Sequence, residues 1–195
     1  MPRLRSRVRD SFPAPAKMDC LSQLLVKRYS GYSFDASRPV SHDQLNALVE
    51  AARMAPSSYN EQPWNYLICD RNTDYQSFNK VLSTLVEGNQ KWAKNAPILI
   101  VAVASSKSAH NGKNNRWAQY DTGAASMSLV LEAASLGLMG HQMGGFDETK
   151  LSKAFAIPAD YVPMAVIAIG YASPNEVQPE KKRKPVSSNF LDRKS

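Results

Sequence analysis

Residues 96–104 read Ala96-Pro97-Ile98-Leu99-Ile100-Val101-Ala102-Val103-Ala104, a continuous apolar run. A strand with one face in water alternates apolar and polar residues, and this run does not alternate. It therefore predicts a strand that is covered on both faces. Residues 164–171 (MAVIAIGY) predict the last buried strand in the same way, and residues 64–69 predict a short strand.

Apolar residues at helical spacing flank these strands. Ser41 precedes one such segment as a cap, and residues 117–137 are apolar almost all round, which predicts a buried central helix that ends at Gly137. Helices are predicted over about residues 18–28, 43–54, 74–85, 117–137 and 147–155. Covered strands that alternate with helices indicate a layered αβ domain.

The net charge of +7 is concentrated at the ends of the 195-residue chain. Residues 1–17 contain five basic and one acidic side chains, and residues 180–195 contain six and two, so each end carries +4. The body, residues 18–179, is left with −1. We therefore expect a disordered basic extension over residues 1–17, a single domain over 18–179 and a basic tail over 180–195.

Composition excludes several classes of protein. The 43% hydrophobic content is that of a globular domain, and Cys20 and Cys69 lie far apart with no CxxC motif. A disulfide framework and a metal site are therefore not expected. No run reaches the roughly 18 apolar residues of a membrane span, so we expect a soluble, cytoplasmic protein without a membrane partner. The basic ends would suit a nucleic-acid-binding module, but the body lacks a basic stripe, and no nucleic-acid partner is expected.

Familiar catalytic motifs are absent from the sequence: there is no Gly-x-Ser-x-Gly, Walker loop, His-Glu-x-x-His or GxGxxG. This indicates a pocket whose ligand supplies the chemistry. Three polar segments are candidates for it, at residues 27–30, 56–64 and 143–147. An arginine fork beside a hydroxyl suits a phosphate, and paired glycines allow close approach of a ligand to backbone N–H groups. A helix-end charge, a capped loop and a plain turn are the alternative interpretations.

These segments together resemble the FMN-dependent nitroreductase family over roughly residues 18–185. The matching stretches, in chain order, are Arg28-Tyr29-Ser30, Ala55-Pro56-Ser57-Ser58-x-Asn60-x-Gln62-Pro63-Trp64, Ala96-Pro97, and Met143-Gly144-Gly145-Phe146-Asp147 followed by Ile157-Pro158. The second stretch is the most specific of them. The resemblance implies an α+β fold, a three-layer α-β-α sandwich with a mixed central sheet, and an intertwined homodimer with FMN at the interface.

The resemblance also implies which residues contact the phosphate of FMN. It assigns the first contacts to Arg28 and Ser30, with Tyr29 contributing its backbone. Lys181 and Arg183 in the tail fit the second phosphate clamp of the family.

Other matched positions are implied to contact the flavin. Asn89 falls where the family places an amide against the pyrimidine edge, and Gly144 and Gly145 offer backbone N–H to flavin N5. The isoalloxazine and ribityl groups are implied to be lined, partly from the opposite subunit, by Pro56, Ser57, Ser58 and Asn60.

The activity implied by the resemblance is that of an FMN-dependent oxidoreductase with NADH or NADPH as donor. Nitroaromatics, quinones or other flat acceptors would be reduced by a ping-pong mechanism, with no side chain assigned as catalytic. Tyr32 departs from the family, which usually has a basic residue there. A flavin-storage or sensor protein, and family members that fragment flavin, remove halide from aromatic rings or oxidise amide-linked peptides, are the alternatives.

Overall fold

The computed structural model describes residues 21–185 and residue 188. The expected extension over residues 1–17 and most of the tail beyond residue 185 lie outside the described residues. In chain order the elements are α1 (Gln23–Lys27), α2 (His42–Arg53), a 3-10 turn (Ser58–Asn60), β1 (Trp64–Asp70), α3 (Tyr75–Leu82), α4 (Glu87–Ala93), β2 (Ile98–Ser105), α5 (Ala118–Ser135), β3 (Met139–Met143), α6 (Glu148–Ala154) and β4 (Tyr161–Gly170).

The four strands form one sheet in the order β1-β2-β4-β3, and every neighbouring pair is antiparallel. Ile100 at the centre of β2 lies opposite Ile68 on β1 and Ile167 on β4. The expectation of a mixed sheet is therefore wrong for the part of the chain that the structure describes. An apolar run indicates cover on both faces but not strand direction, because an antiparallel strand between two helical layers is equally apolar.

Helices cover both faces of the sheet. Successive β2 residues point to opposite sides. Leu99, Val101 and Val103 pack in a core with side chains of α3, α4 and α6, and Ile98, Ile100 and Ala102 pack in a core with side chains of α2 and α5. The result is the three-layer α-β-α arrangement, with β2 buried along all but its last residue.

Local sequence signals account for most helix boundaries. Ser41 and Gln44 form a complete capping box at the start of α2, in which the Ser41 side chain accepts the Gln44 N–H and the Gln44 side chain accepts the Ser41 N–H. Asp74 and Asp147 cap α3 and α6 through their side chains. The first predicted helix is shorter than expected, since α1 begins only at Gln23.

The predictions omitted one α-helix and one strand, α4 and β3. The seven residues of α4 contain Gly88, and β3 carries the polar pair His141 and Gln142 in its centre, so neither shows a clear hydrophobic period. Both elements are held by tertiary contacts. None of the helices described by the structure combines the length and apolar character that a membrane crossing requires.

We predict that Ile100→Val lowers the free energy of unfolding by about 0.5–1.5 kcal/mol, because a methylene is lost from a site with 0% exposure. Its register partner Ile68 is 40% exposed, so Ile68→Val is the matched control and should cost less than about 0.5 kcal/mol. Urea unfolding followed by circular dichroism measures both changes. Equal losses in the two variants would contradict the central placement of β2.

Candidate functional site

The Arg28-Tyr29-Ser30 segment lies at the C-terminal end of α1. The Arg28 N–H donates to the Leu24 carbonyl at 2.9 Å and so closes the helix. The guanidinium turns toward Ser30, with 3.4 Å between Arg28 Nη1 and Ser30 Oγ. Arg28 and Tyr29 line a cavity with the β3 residues Met139 and Gly140. The segment therefore faces the β3 edge of the sheet.

The C-terminal tail is fastened to the same helix end. Lys181 Nζ donates to the Leu25 carbonyl at 2.6 Å and to the Val26 carbonyl, and Gln178 Nε2 donates to the Val26 carbonyl at 3.0 Å. The unsatisfied carbonyls at the end of a helix carry partial negative charge, so a lysine is favoured there. These contacts bring the tail beside Arg28.

Arg28, Lys181 and Arg183 form what we call the cation cluster. Burial lowers the pKa of the Arg28 guanidinium, and the charge of Arg183 lowers it further. Burial lowers the pKa of Lys181 as well, followed by the charges of Arg28 and Arg183. The described part of the chain shows no ion pair between the cluster and a carboxylate. Three mutually repelling cations at one place favour the binding of an anion.

Asn89 and Gly145 meet at the end of β3. The Gly145 carbonyl accepts hydrogen bonds from the Val86 N–H at 3.0 Å and from Asn89 Nδ2 at 3.2 Å. A Cβ on Gly145 would lie 3.0 Å from Asn89 Nδ2 and 3.0 Å from Val86 Cγ2, so a larger residue would push on both side chains. Gly144 is exposed, and a Cβ there would meet no atom within 4 Å. The turn thus presents open backbone beside a side-chain amide.

The segment Pro56–Asn60 lies elsewhere, in the loop before β1. Ser57 Oγ accepts the Gln62 N–H at 3.0 Å, and the Ser58 N–H donates to the buried Asp121 carboxylate at 3.0 Å. Tyr59, Asn60 and Gln62 all have positive φ, at 54°, 56° and 46°. Left-handed backbone is unusual for residues other than glycine, and clusters of it are typical of functional loops. The hydrogen bonds of Ser57 and Ser58 hold the loop in this shape.

The structure therefore places the sequence candidates in two groups. The β3-side group contains Arg28, Tyr29, Ser30, Asn89, Gly144, Gly145, Lys181 and Arg183. The β1-side group contains Pro56, Ser57, Ser58 and Asn60. Since β1 and β3 are the two edge strands, the two groups lie at opposite edges of the sheet.

An aromatic cluster within the β3-side group was not predicted from the sequence. It consists of Tyr32, Trp92 and His141. The Trp92 ring lies 4.6 Å from the His141 ring and 5.3 Å from the Tyr32 ring, and the Tyr32 and His141 rings are 5.0 Å apart. One signal could have placed Trp92 here: it follows Asn89 by three residues, so the two share a face of α4.

Comparison with known proteins relates this geometry to one family. The nitroreductase family model matches residues 25–171. A Methanothermobacter thermautotrophicus protein described as an NADH dehydrogenase or NAD(P)H nitroreductase is 30% identical, over 82% of this chain and 81% of its own length. The major NAD(P)H-flavin oxidoreductase of Aliivibrio fischeri is 25% identical, over 78% and 87% of the two chains.

A solved structure is similar over the same region. The crystal structure of an FMN-containing oxidoreductase superposes with a TM-score of 0.80 at 30% sequence identity, over 88% of this chain and 91% of that one. The family model, the sequence relatives and the fold agree, and the chain belongs to the nitroreductase family.

Proposed function

We propose that this chain is an FMN-dependent NAD(P)H oxidoreductase that reduces nitroaromatics, quinones or similar flat acceptors by a ping-pong mechanism. The observation that carries the proposal is the cation cluster of Arg28, Lys181 and Arg183, which lies on the same side of the sheet as the open Gly144-Gly145 turn. The names of the Methanothermobacter and Aliivibrio relatives, which include NAD(P)H as donor, support it.

The residues of the cation cluster fit the phosphate of FMN. Arg28 offers a planar set of N–H donors, Ser30 adds a hydroxyl at 3.4 Å from it, and Tyr29 supplies backbone. Lys181 and Arg183 add two further positive charges from the tail. Since no carboxylate of the described residues pairs with these cations, a phosphate would relieve their mutual repulsion.

The Gly144-Gly145 turn and Asn89 fit the ring system of the flavin. Asn89 keeps one amide N–H bonded to the Gly145 carbonyl and has its remaining donor and acceptor for the pyrimidine edge. The open backbone at Gly144 and Gly145 would offer N–H groups to N5. FMN, when bound, accepts hydride from NAD(P)H and passes the electrons to the acceptor, so the chain's own task is binding and orientation.

A homodimer completes the site in this proposal. Pro56, Ser57, Ser58 and Asn60 lie at the sheet edge opposite the β3-side group. A second copy that places its β1-side loop over the first copy's cation cluster would bring both groups to one flavin. Tyr59, which is 97% exposed, is then available for the partner.

A flavin-storage or sensor protein is the second candidate function. It is favoured by Tyr32, a neutral and 61% exposed residue where the family usually has a cation. A cation near the flavin stabilises its reduced, anionic form, so a neutral residue would slow turnover. Flavin fragmentation and removal of halide from aromatic rings are further family chemistries compatible with the same site.

The direct test is anaerobic mixing of the FMN-loaded protein with NADH or NADPH, followed by flavin absorbance and then by addition of a nitroaromatic or a quinone. We expect a yellow protein that is bleached by at least one nicotinamide and reoxidised by the acceptor. A colourless protein that cannot be reconstituted with FMN would contradict the proposal. Colour that neither nicotinamide bleaches would favour storage or sensing.

The phosphate assignment is tested by the double variant Lys181→Gln/Arg183→Gln. Losing two charge-assisted contacts, at about 1.5–3 kcal/mol each, should raise the FMN Kd by about a hundredfold or more in a fluorescence titration. The matched control is Lys182→Gln/Lys184→Gln, which removes the same charge from exposed neighbouring positions and should change the Kd less than about threefold. Equal increases of the FMN Kd in the two double variants would show that FMN binding depends only on the net charge of the tail.

The role of the turn is tested by Gly145→Ala. The new Cβ would displace Asn89 or Val86, so we expect the FMN Kd to rise roughly fivefold to tenfold, as for the loss of about one hydrogen bond. Gly88→Ala is the matched control because a Cβ there meets no atom within 4 Å, although Gly88 is next to Asn89. Unchanged FMN affinity in Gly145→Ala would refute the assignment of Asn89.

A further inference from the structure

The aromatic cluster of Tyr32, Trp92 and His141 borders the proposed flavin site. A role for the cluster in redox chemistry therefore rests on the proposed function. Helix α4 makes the connection: Asn89 reaches the Gly145 carbonyl at 3.2 Å, and Trp92, three residues on, packs against the His141 ring at 4.6 Å. His141 is therefore close to both the glycine turn and the cation cluster. Within the described residues it is the only histidine beside the proposed flavin site, since His42 is on α2 and His110 is in the loop after β2.

One hydrogen bond fixes the proton arrangement of the His141 ring. Nδ1 lies 2.9 Å from the Gly31 carbonyl oxygen, which can only accept. Nδ1 must therefore carry the proton of the neutral ring. This leaves the Nε2 lone pair free for a second proton, and no described residue donates a hydrogen bond to it. Nε2 is not among the buried side-chain nitrogens without a partner in the described residues, so this edge of the half-buried residue is open to water.

The surroundings of the ring keep it neutral before any ligand binds. Burial lowers the pKa of His141 below its usual value, the hydrogen bond to Gly31 raises it in part, and the charge of Arg28 lowers it again. A ring with this pKa is uncharged at pH 7 and responds to a new negative charge nearby.

Other elements around the ring contribute few opposing charges. The Glu176 carboxylate in the tail accepts the Tyr32 N–H at 3.0 Å, and the Glu87 and Lys91 side chains of α4 pair with each other at 2.9 Å in solvent. On the neighbouring strand β4, the residue opposite His141 is Ala168. Of the described residues, Arg28 acts electrostatically on the ring and the Tyr32 phenol packs against it. The next titratable and charged groups adjoin these two: Glu176 and Tyr29 beside Tyr32, and Lys181 and Arg183 beside Arg28.

We propose that His141 takes up one proton at Nε2 when the bound FMN is reduced, and so places a positive charge beside the reduced flavin. In the balanced step, NAD(P)H gives a hydride, that is two electrons and one proton, and leaves as NAD(P)⁺. This transfer adds one negative charge to the site, and a proton from water binds to the neutral imidazole. The phenol of Tyr32 and the indole of Trp92 carry no charge that could serve instead.

The test is the midpoint potential of the bound FMN as a function of pH, measured by dye-mediated titration so that no nicotinamide is needed. Consider a pH between the His141 pKa values of the oxidised and the reduced protein. There, reduction of the native protein by two electrons should take up two protons. His141→Gln keeps a hydrogen-bond donor for the Gly31 carbonyl but does not titrate, so its reduction by two electrons should take up only one proton. The pH dependence of the midpoint potential should therefore differ between the two proteins by about 30 mV per pH unit, which is tenfold in the equilibrium constant of a two-electron couple. His42→Gln, an exposed histidine on α2, is the control and should behave as the native protein.

The same proton count in His141→Gln and in the native protein would overturn the proposal while leaving FMN binding intact. Where the variant fails to fold, the native protein is sufficient: NMR titration of the His141 ring should give a higher pKa in the reduced than in the oxidised protein, and equal values would overturn the proposal. A native protein that does not retain FMN would instead overturn the proposed function, and the role of His141 with it.

Discussion

Burial of β2 on both faces is the constraint that determines where every other element of the domain can lie. Seven of its eight residues are buried, and their side chains alternate between two apolar cores. Such a strand needs a neighbour on each side and a layer of helices on each face, because unpaired backbone groups and apolar side chains are both costly to expose. Polar residues are excluded from the centre of the sheet, and the candidate site residues lie at its two edges.

Local signals in the sequence were sufficient to predict what depends on nearby residues. The apolar run at 96–104, the Ser41 cap of α2 and the long buried α5 are each specified within a few residues, and the structure confirms all three. Strand direction and β3 depend on distant partners. His141 in β3 pairs with Ala168, 27 residues later, and nothing in its own neighbourhood predicts that pairing. The wrong expectation of a mixed sheet has the same cause.

The candidate site, like the fold, could be predicted from the sequence only in part. The resemblance supplied the residues of both groups, but their spatial separation, the attachment of Lys181 to the carbonyls of α1 and the contact of Asn89 with Gly145 became visible only in the structure. The aromatic cluster could not be predicted because Tyr32, Trp92 and His141 come from three distant parts of the chain. In the proposed site the cations would bind the phosphate, the open turn would receive the flavin ring, and the His141 imidazole would lie between them.

In the proposed dimer, one flavin is held by the cation cluster of one chain and the β1-side loop of another. A heterodimer purified through two different tags distinguishes a site shared between two chains from a site formed within one chain. It pairs a Lys181→Gln/Arg183→Gln chain with an Asn60→Gly chain, and glycine suits the positive φ of Asn60. One of its two sites then receives both altered groups and the other receives neither. We expect one tightly bound FMN per heterodimer and none in either variant homodimer. A heterodimer without a tight site would refute the shared site, because both groups would then act within the same chain.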